Sequence, residues 1–315
     1  MWCGSWIMKT NKIYKVAVPA TTANIGSGFD VLGLSLSLYN EVHFTPDEKR
    51  HFPDFTVTAE GEGVDQIPEG KDNVIIQAMA QTARKVGMAL PGGHMHLVNR
   101  IPFARGLGSS SAAIVSGVYL ANLLLGNRLG RRTMLDIAAA MEGHPDNAAP
   151  ALLGGFVISM MDHDGVTSEK VQISPKWKAV VAIPDFELLT EKARAVLPKV
   201  YVREDTVHNV SAVSFLLAAF FQQNPEYLRL GLADRIHVPY RLPLIPGGAE
   251  VIAKAEKAGA YGATISGSGP TIIAFTDSGR AEAVGDAMRE GFASQNISSR
   301  VLVLDFDDRG AHEME

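Results

Sequence analysis

Two spacings of hydrophobic residues recur along the chain, and they predict strands and helices in alternating order. In the first half, alternation of apolar with small or polar residues predicts strands over residues 13–18, 31–38, 55–59, 94–98 and 155–161. Apolar residues at helical spacing predict helices over residues 73–86, 110–125 and 133–141. Asp72 is the candidate N-cap of the first of these helices.

The second half of the chain begins near residue 174 and continues the alternation. Its predicted strands cover residues 179–183, 263–265, 271–275 and 300–304. Its predicted helices cover residues 191–196, 206–221, 225–232, 249–258 and 280–293. The sequence shows neither an internal repeat nor a low-complexity linker, and the alternation indicates an α+β or α/β fold.

The composition is that of an ordinary globular protein, with 46% hydrophobic and 20% charged residues among 315. The formal net charge of −5, with Lys and Arg dispersed, argues against a nucleic-acid partner or an anionic membrane surface. A single cysteine, Cys3, rules out an intramolecular disulfide and fits a cytoplasmic location. Residues 1–11 and 307–315 are predicted to be flexible tails, and no apolar run approaches the ~20 residues of a transmembrane helix.

The run IPFARGLGSSSAA at residues 101–113 precedes a predicted helix and has the character of a phosphate-binding loop. Its glycines let the backbone approach an anion, and the following helix directs unpaired N–H groups and positive potential at the loop. The lysine of the GxxxxGK[ST] motif does not follow these glycines, and protein-kinase HRD and DFG motifs are also missing. A plain turn at a helix start explains the same residues, so the context has to decide.

Three segments in order resemble the three motifs of the GHMP kinases: residues 19–30 (PATTANIGSGFD), residues 101–113 and residues 265–271 (ISGSGPT). A fourth segment, EGHPDNAAPALLGG at residues 142–155, resembles the homoserine kinase branch of that superfamily. The resemblance covers roughly residues 12–306. It implies an α+β GHMP kinase fold, in which residues 12–173 form an N-terminal domain like domain 2 of ribosomal protein S5. Residues 174–306 would form a ferredoxin-like α/β domain, with the active site between the two.

The same resemblance implies an activity, which is transfer of the ATP γ-phosphate to the side-chain hydroxyl of L-homoserine with the help of Mg²⁺. A homodimer is expected because relatives are often dimers. Two other functions stay open at this stage. One is a kinase for another small molecule, such as mevalonate or shikimate, and the other is a GHMP-fold binding module without catalysis. Intact Ser110, Glu142 and Asp146 argue against the second.

The ATP site is predicted mainly from the serine-rich loop. The residues expected to bind ATP are Asn73, Pro102, Phe103, Ala104, Arg105, Gly106, Leu107, Gly108, Ser109, Ser110, Ser111 and Ala112. Asn73 and Val74 resemble the segment that lines the adenine site, but a helix cap explains Asn73 equally well. The glycines of residues 266–270 either bring the backbone close to the substrate or to the first loop, or they form a tight turn between two strands.

By the same resemblance, Ser110 and Glu142 hold Mg²⁺, which prefers hard oxygen ligands such as a hydroxyl and a carboxylate. An acid at a helix C-terminus is electrostatically unfavourable, which favours a functional role for Glu142 over a solvated one. Some homoserine kinases have several extra residues between this glutamate and the histidine that follows it. Here only Gly143 separates Glu142 from His144.

An amino-acid substrate needs its carboxylate bound, and a guanidinium does so with two parallel hydrogen bonds. By resemblance, Arg194 and Arg241 are the two substrate arginines. The residues expected to complete the substrate pocket are Asn24, Asp30, His144, Asn147 and Gly267. Asp146 is either a catalytic base or an orienting residue, and Asn147 is expected to position the acceptor hydroxyl. His94 and His96 share one strand face, which is more typical of a solvated surface than of a metal site.

Overall fold

A computed structural model describes residues 12–173 and 176–315 of the chain. Its strands are β1 (Tyr14–Ala23), β2 (Leu32–His51), β3 (Phe55–Gly61), β4 (Pro91–Asn99), β5 (Phe156–Asp162), β6 (Gly165–Val171), β7 (Trp177–Pro184), β8 (Gly262–Ile265), β9 (Ile272–Asp277), β10 (Ser299–Leu304) and β11 (His312–Glu313). Its α-helices are α1 (Val74–Val86), α2 (Ser109–Leu124), α3 (Arg131–Glu142), α4 (Ala148–Leu153), α5 (Thr190–Ala195), α6 (Arg203–Gln222), α7 (Pro225–Gly231), α8 (Val238–Arg241), α9 (Gly248–Lys257) and α10 (Ala281–Ala293).

The first half of the chain builds a seven-stranded sheet around the long strand β2. The main path runs β11-β1-β2-β4-β3, and β5 joins the sheet by pairing with β2 and with β6. All of these pairs are antiparallel except β3 with β4, which are parallel. Helices α2 and α4 pack against β1, so the start of α2 lies over the end of that strand.

The second half builds a four-stranded antiparallel sheet in the order β10-β7-β9-β8. Helices α9 and α10 cover one face of it, around Val251, Met288 and Phe292. On the other face, Phe220 of α6 stacks on Phe156 of the first sheet at 4.5 Å between ring centroids. One hydrophobic core therefore extends from the first sheet to this face of the second sheet. Its packing holds the two sheets together.

The described structure confirms most predicted elements within a few residues and corrects the cap of α1. Asn73, not Asp72, is the N-cap, because its side chain accepts a hydrogen bond from the backbone N–H of Ile75 at 2.9 Å. Gly87 ends the helix in the left-handed region at φ 72°. Strand β6 was not predicted, because its two buried valines, Val166 and Val171, are separated by four polar residues.

The prediction of a flexible tail over residues 307–315 is wrong. Strand β11 pairs with β1, and the Asp307 carboxylate accepts hydrogen bonds from the Tyr39 hydroxyl at 2.6 Å and from the Gly310 N–H at 2.7 Å. Ala311 is buried and donates its N–H to Ala151 at 2.8 Å. The segment folds because it satisfies its backbone groups against the first sheet rather than with water.

Residues 1–11, predicted as the other tail, and residue 174, where the second domain was predicted to begin, lie outside the described residues. The division into residues 12–173 and 174–306 stays a prediction. Strands β1 to β6 belong to the first sheet and β7 to β10 to the second. No helix of the described part of the chain is long and apolar enough to cross a membrane.

Candidate active site

A cavity of about 360 Å³ lies between the two halves of the molecule and gathers most of the predicted site residues. It is lined by Asn24, Asp30, Val74, Phe103, Ala104, Arg105, Gly106, Gly108, Ser109, Ser110, Ala113, Glu142, His144, Asp146, Asn147, Leu189, Thr190, Arg194, Arg241, Gly267 and Ser268. The predicted site residues outside this lining are Asn73, Pro102, Leu107, Ser111 and Ala112. Seven segments of the chain, many of them far apart in sequence, therefore converge on one space.

The serine-rich loop enters the cavity through two glycines in the left-handed region, Gly106 at φ 73° and Gly108 at φ 71°. A Cβ on Gly106 would overlap the carbonyl oxygen of Ser266, so the loop packs backbone to backbone on the 266–270 turn. Helix α2 begins at Ser109 without a side-chain cap. Its first N–H groups and its positive dipole end therefore meet the cavity, as an anion site requires.

Both interpretations of the 266–270 segment hold. It is a turn between β8 and β9, and it also contacts the first loops. The Ser266 hydroxyl lies 2.7 Å from the carbonyl oxygen of Gly106 and 2.9 Å from the hydroxyl of Thr22. Gly267 accepts a hydrogen bond from the Asn24 side chain at 2.8 Å. The glycine-rich turn therefore ties the phosphate loop to the segment that follows β1.

Asn73 does not reach the cavity with its side chain, which caps α1 and also donates to the carbonyl of Pro68 at 3.0 Å. The neighbouring Val74 lines the cavity instead. Arg105 lines it too, yet its Nε donates to the carbonyl of Pro184 at 3.1 Å. That guanidinium therefore connects the loop to the end of β7.

Ser110 and Glu142 are neighbours, as the resemblance implied, with the serine hydroxyl donating to the carboxylate at 3.1 Å. Helix α3 ends at Glu142, and Gly143 follows in the left-handed region at φ 89°. That turn points the chain back into the cavity and accounts for the short spacing to His144. Burial raises the pKa of the Glu142 carboxyl. A partly desolvated carboxylate beside a hydroxyl suits a hard divalent cation, which would favour the ionised form.

His144 and Asp146 form a hydrogen-bonded pair, with Nδ1 and Oδ1 2.7 Å apart. Asp146 is only 2% exposed. Burial opposes the charged imidazolium, but the hydrogen bond and charge of Asp146 outweigh it and raise the pKa of His144. One carboxylate oxygen of Asp146 is thus already committed to the histidine.

Also in the cavity lining, Arg194 binds Asp30 with two hydrogen bonds of 2.9 Å each. Asp30 has a left-handed backbone at φ 56°, and its N–H donates to the Asn24 side chain at 3.0 Å. The hydrogen bond to Asp30 raises the pKa of Arg194. This bidentate pair fixes one guanidinium beside the cavity.

Arg241 is 1% exposed and lines the same cavity. Its Nε donates to the carbonyl of Ala193 at 3.2 Å, and its guanidinium lies 5.1 Å from the centroid of the Phe29 ring. Among the described residues it forms no salt bridge with a carboxylate. Burial, followed by the charge of Arg194, lowers the pKa of Arg241. A buried guanidinium without a carboxylate partner is costly unless a ligand supplies one.

Sequence reasoning missed three residues that contact side chains of the cavity lining. The Phe29 ring contacts Arg194 and Arg241, and His237 stacks on that ring at 5.2 Å. Burial lowers the pKa of His237, which favours the neutral ring. Its Nδ1 lies 3.4 Å from Nη1 of Arg241. The Thr21 hydroxyl donates a hydrogen bond to Oδ1 of Asn147. Phe29 and Thr21 lie within the 19–30 motif and His237 four residues before Arg241, but only the fold shows what each contacts.

His94 and His96 agree with the interpretation as a surface strand. His94 is exposed, and His96 lies 3.0 Å from the hydroxyl of Thr58 through Nδ1. Within the described residues, neither histidine belongs to a group of three side chains able to hold a metal ion.

A glycine-rich loop and the uncapped start of α2 therefore face a cavity that two guanidinium groups also line. The family models for the GHMP kinases N terminal domain and the GHMP kinases C terminal match residues 73–155 and 216–294. The chain belongs to the GHMP kinase family.

Several relatives at about 40% identity are homoserine kinases. Homoserine kinase from Carboxydothermus hydrogenoformans is 44% identical over 95% of this chain and 96% of its own. Homoserine kinase from Moorella thermoacetica is 44% identical over 94% of this chain and 98% of its own. The crystal structure of homoserine kinase from Cytophaga hutchinsonii superposes with a TM-score of 0.88 at 32% identity, covering 98% of this chain and 99% of that one. An L. major mevalonate kinase shares the fold, at TM-score 0.69 and 15% identity over 96% of this chain and 98% of that one.

Proposed function

We propose that this protein is an ATP-dependent homoserine kinase, which converts ATP and L-homoserine into ADP and O-phospho-L-homoserine. The observation that carries the proposal is Arg241, a buried guanidinium without a carboxylate partner in the described structure, in the same cavity as an uncapped helix start. One end of the cavity suits phosphates and the other suits a carboxylate. The identity to homoserine kinases over nearly the whole chain supports the choice of substrate.

At the phosphate end, the backbone N–H groups at the start of α2 would bind the phosphates of ATP, with Gly106 and Gly108 allowing their close approach. Ser110 and Glu142 would hold Mg²⁺ through their oxygen atoms. The ion, when bound, neutralises negative charge on the transferred phosphoryl group. Val74 and Phe103, which line this end, are the candidates for contact with the base.

At the substrate end, Arg241 and Arg194 would bind the carboxylate of homoserine, and Asp30 would accept its ammonium group. Asp30 keeps Arg194 in place through the two 2.9 Å bonds and stays next to the incoming charge. The chain of the substrate then points its hydroxyl toward Asn147 and Asp146, between the two ends.

The hydroxyl oxygen forms a bond to the γ-phosphorus while the bond from that phosphorus to the bridging oxygen of ADP breaks. The hydroxyl proton passes either to an oxygen of the transferred group or to Asp146. Because the transition state is largely dissociative, early removal of this proton gains little. Asp146 is already bonded to His144, and we therefore assign it to orientation and assign alignment of the acceptor to Asn147.

Two variants separate these roles. Asn147→Ala is expected to lower kcat at least as much as Asp146→Asn, which keeps the shape of the carboxylate but removes its basicity. General-base help is typically worth about 10² to 10⁴-fold in rate. A loss of about 10³-fold in Asp146→Asn, with unchanged KM values and an intact fold, would make Asp146 the base.

The activity itself is tested by ADP release from the purified protein with ATP, Mg²⁺ and a panel of homoserine, mevalonate, shikimate and galactose. The kcat/KM for homoserine should exceed that for each of the other acceptors at least about 100-fold, because acceptors without its ammonium or carboxylate leave buried polar groups unpaired. Equal or faster turnover of mevalonate contradicts the proposal. ADP release with none of the four would revive the binding module without catalysis.

Two further expectations belong to this proposal. A cytoplasmic location is supported by the single cysteine of the sequence. A homodimer is expected because relatives are often dimers. Light scattering of the purified protein measures its molar mass directly.

A further inference from the structure

Thr21 is a buried threonine of β1 whose hydroxyl contacts Asn147, a residue that lines the cavity. It is 0% exposed, and its Oγ1 lies 2.7 Å from Oδ1 of Asn147. An amide oxygen has no hydrogen to donate, so the hydroxyl of Thr21 is the donor in this pair. The one hydrogen of that hydroxyl is thereby used.

This bond decides which end of the Asn147 amide faces the reaction. With Oδ1 held by Thr21, the NH₂ group is the end left for the cavity that Asn147 lines. The hydrogen bonds found in the described part of the chain include none donated by Asn147 Nδ2. The amide is therefore set to donate into the cavity rather than to accept from it.

The surroundings of Thr21 prevent it from turning away. Its N–H donates to the carbonyl of Leu107 at 3.1 Å, which ties the strand to the phosphate loop. A Cβ on Gly108 would overlap Thr21 Oγ1 and approach Asn147 Oδ1 to 3.1 Å, so the glycine packs directly on the pair. Thr21 also pairs with Ser35 of β2 within the first sheet. The sheet thus sets the position of the amide relative to the phosphates.

We propose that Thr21 is a positioning residue for phosphoryl transfer: its hydroxyl holds the Asn147 amide so that Nδ2 donates a hydrogen bond to an oxygen at the reaction centre. That oxygen belongs to the transferred phosphoryl group or to the acceptor hydroxyl, both of which accept. A donor held at this place stabilises charge that develops on the phosphoryl oxygens. The inference rests on the proposed kinase activity.

The hydroxyl is tested with Thr21→Val, which keeps the shape but removes the donor, and Thr21→Ser, which keeps it. Thr21→Val should lower kcat at least about tenfold, while both KM values stay within about twofold. Thr21→Ser should recover most of the rate. Thr82→Val is the matched control, because Thr82 is also 0% exposed but donates to Ala78 within α1, away from the cavity.

A double-mutant cycle separates positioning from a general loss of packing. In an Asn147→Ala background, Thr21→Val should have no further effect on kcat, since the amide it holds is gone. An equal loss of kcat in both backgrounds contradicts the proposal, as does a Thr21→Ser variant no faster than Thr21→Val. A change confined to the KM for ATP would place Thr21 in nucleotide binding instead.

Asn147→Asp tests the donor without altering Thr21, so the proposal stays testable even if the Thr21 variants do not fold. Aspartate keeps an oxygen for the Thr21 hydroxyl but replaces the NH₂ group with a second acceptor. We expect kcat as low as that of Asn147→Ala, and retention of half the wild-type kcat would overturn the assignment. Wild-type protein that does not phosphorylate homoserine would instead refute the proposed function, so the two failures remain distinct.

Discussion

The two ends of the cavity are built in opposite ways. The backbone proposed to bind the phosphates comes from one continuous segment, with Gly106 and Gly108 in left-handed conformations and the uncapped start of α2 beside them. The substrate end joins Asp30, Arg194 and Arg241 from three distant segments, and it relies on charged side chains. A site made of backbone can be recognised in a short sequence, whereas a site made of distant side chains exists only after folding.

The two ends should also be sensitive to different kinds of substitution. Backbone close to backbone leaves no room for a new atom, so the phosphate end is sensitive to added volume. The buried guanidinium of Arg241 is sensitive to a change of shape at constant charge. Substitutions at the two ends should therefore separate the kinetics of ATP from those of the amino acid.

The largest effect is expected for Gly106→Ala. The added methyl group would overlap the Ser266 carbonyl oxygen, and alanine would have to adopt a left-handed φ of 73°. Both effects displace the loop. A displacement of about 1 Å can cost on the order of 100-fold in rate, and we expect a loss of that size in kcat/KM for ATP.

Gly87→Ala is the control for this substitution. Gly87 has nearly the same φ of 72°, but nothing lies within 4 Å of its would-be Cβ at the end of α1. It should lose about 1 kcal/mol of stability and keep its kinetics. Normal ATP kinetics in Gly106→Ala would show that the loop does not need the close contact with the 266–270 turn.

Arg241→Lys should impair binding of the amino acid without affecting binding of ATP. Lysine keeps the charge but loses the planar fork, so the KM for homoserine should rise about tenfold while the KM for ATP hardly changes. Arg289→Lys on the exposed face of α10, where Arg289 pairs with Asp286, serves as the surface control. Weaker ATP binding in Arg241→Lys would move Arg241 into the nucleotide site.

Ser110→Ala should act on the phosphate end through the cation. Loss of the hydroxyl beside Glu142 is expected to raise the Mg²⁺ concentration needed for half-maximal rate about tenfold and to lower kcat. The KM for homoserine should stay close to that of the wild type. An unchanged Mg²⁺ titration would remove Ser110 from the metal site.

The smallest effect concerns stability and the raised pKa of His144. Because the folded state holds the proton more tightly than the unfolded state, the ionised pair with Asp146 stabilises the fold below pH about 6.5. That contribution disappears as the pH rises through the raised pKa. Urea unfolding from pH 5.5 to 8.5 should show the advantage of wild type over His144→Gln shrinking with rising pH.

His163→Gln, at an exposed histidine whose side chain is 88% accessible, reports the effect of losing a histidine outside the cavity. An advantage of wild type over His144→Gln that grows with pH would mean that burial outweighs the bond to Asp146.

Much of the fold was predictable because its elements have clear local patterns. The helix predicted over residues 110–125 lies at Ser109–Leu124, whereas the phosphate-binding character of the loop before it was predicted only together with the other motifs. Strand β6 escaped because its few apolar positions, such as Val166 and Val171, do not alternate regularly. The C-terminal segment escaped because Asp307 and Gly310 are polar or small residues that fold only against a sheet built elsewhere.

The site divides along the same line. Sequence resemblance named Arg194 and Arg241, but it did not show that Phe29 and His237 support them. It named Asn147 but not Thr21, whose hydroxyl donates a hydrogen bond to the Asn147 side chain. The contacts of Phe29 with the two arginines and of Thr21 with Asn147 join residues that are far apart in the chain, and no local spacing encodes them.

The most direct test of the central claim is to identify the product. ³¹P NMR of wild-type protein with ATP, Mg²⁺ and L-homoserine should show ADP and a new phosphomonoester appearing in equal amounts, with the phosphorus coupled to a CH₂ group. Omission of homoserine should abolish both signals. Inorganic phosphate in place of the phosphomonoester, or ADP formed at the same rate without homoserine, would contradict the account of a cavity that aligns ATP with an amino-acid hydroxyl.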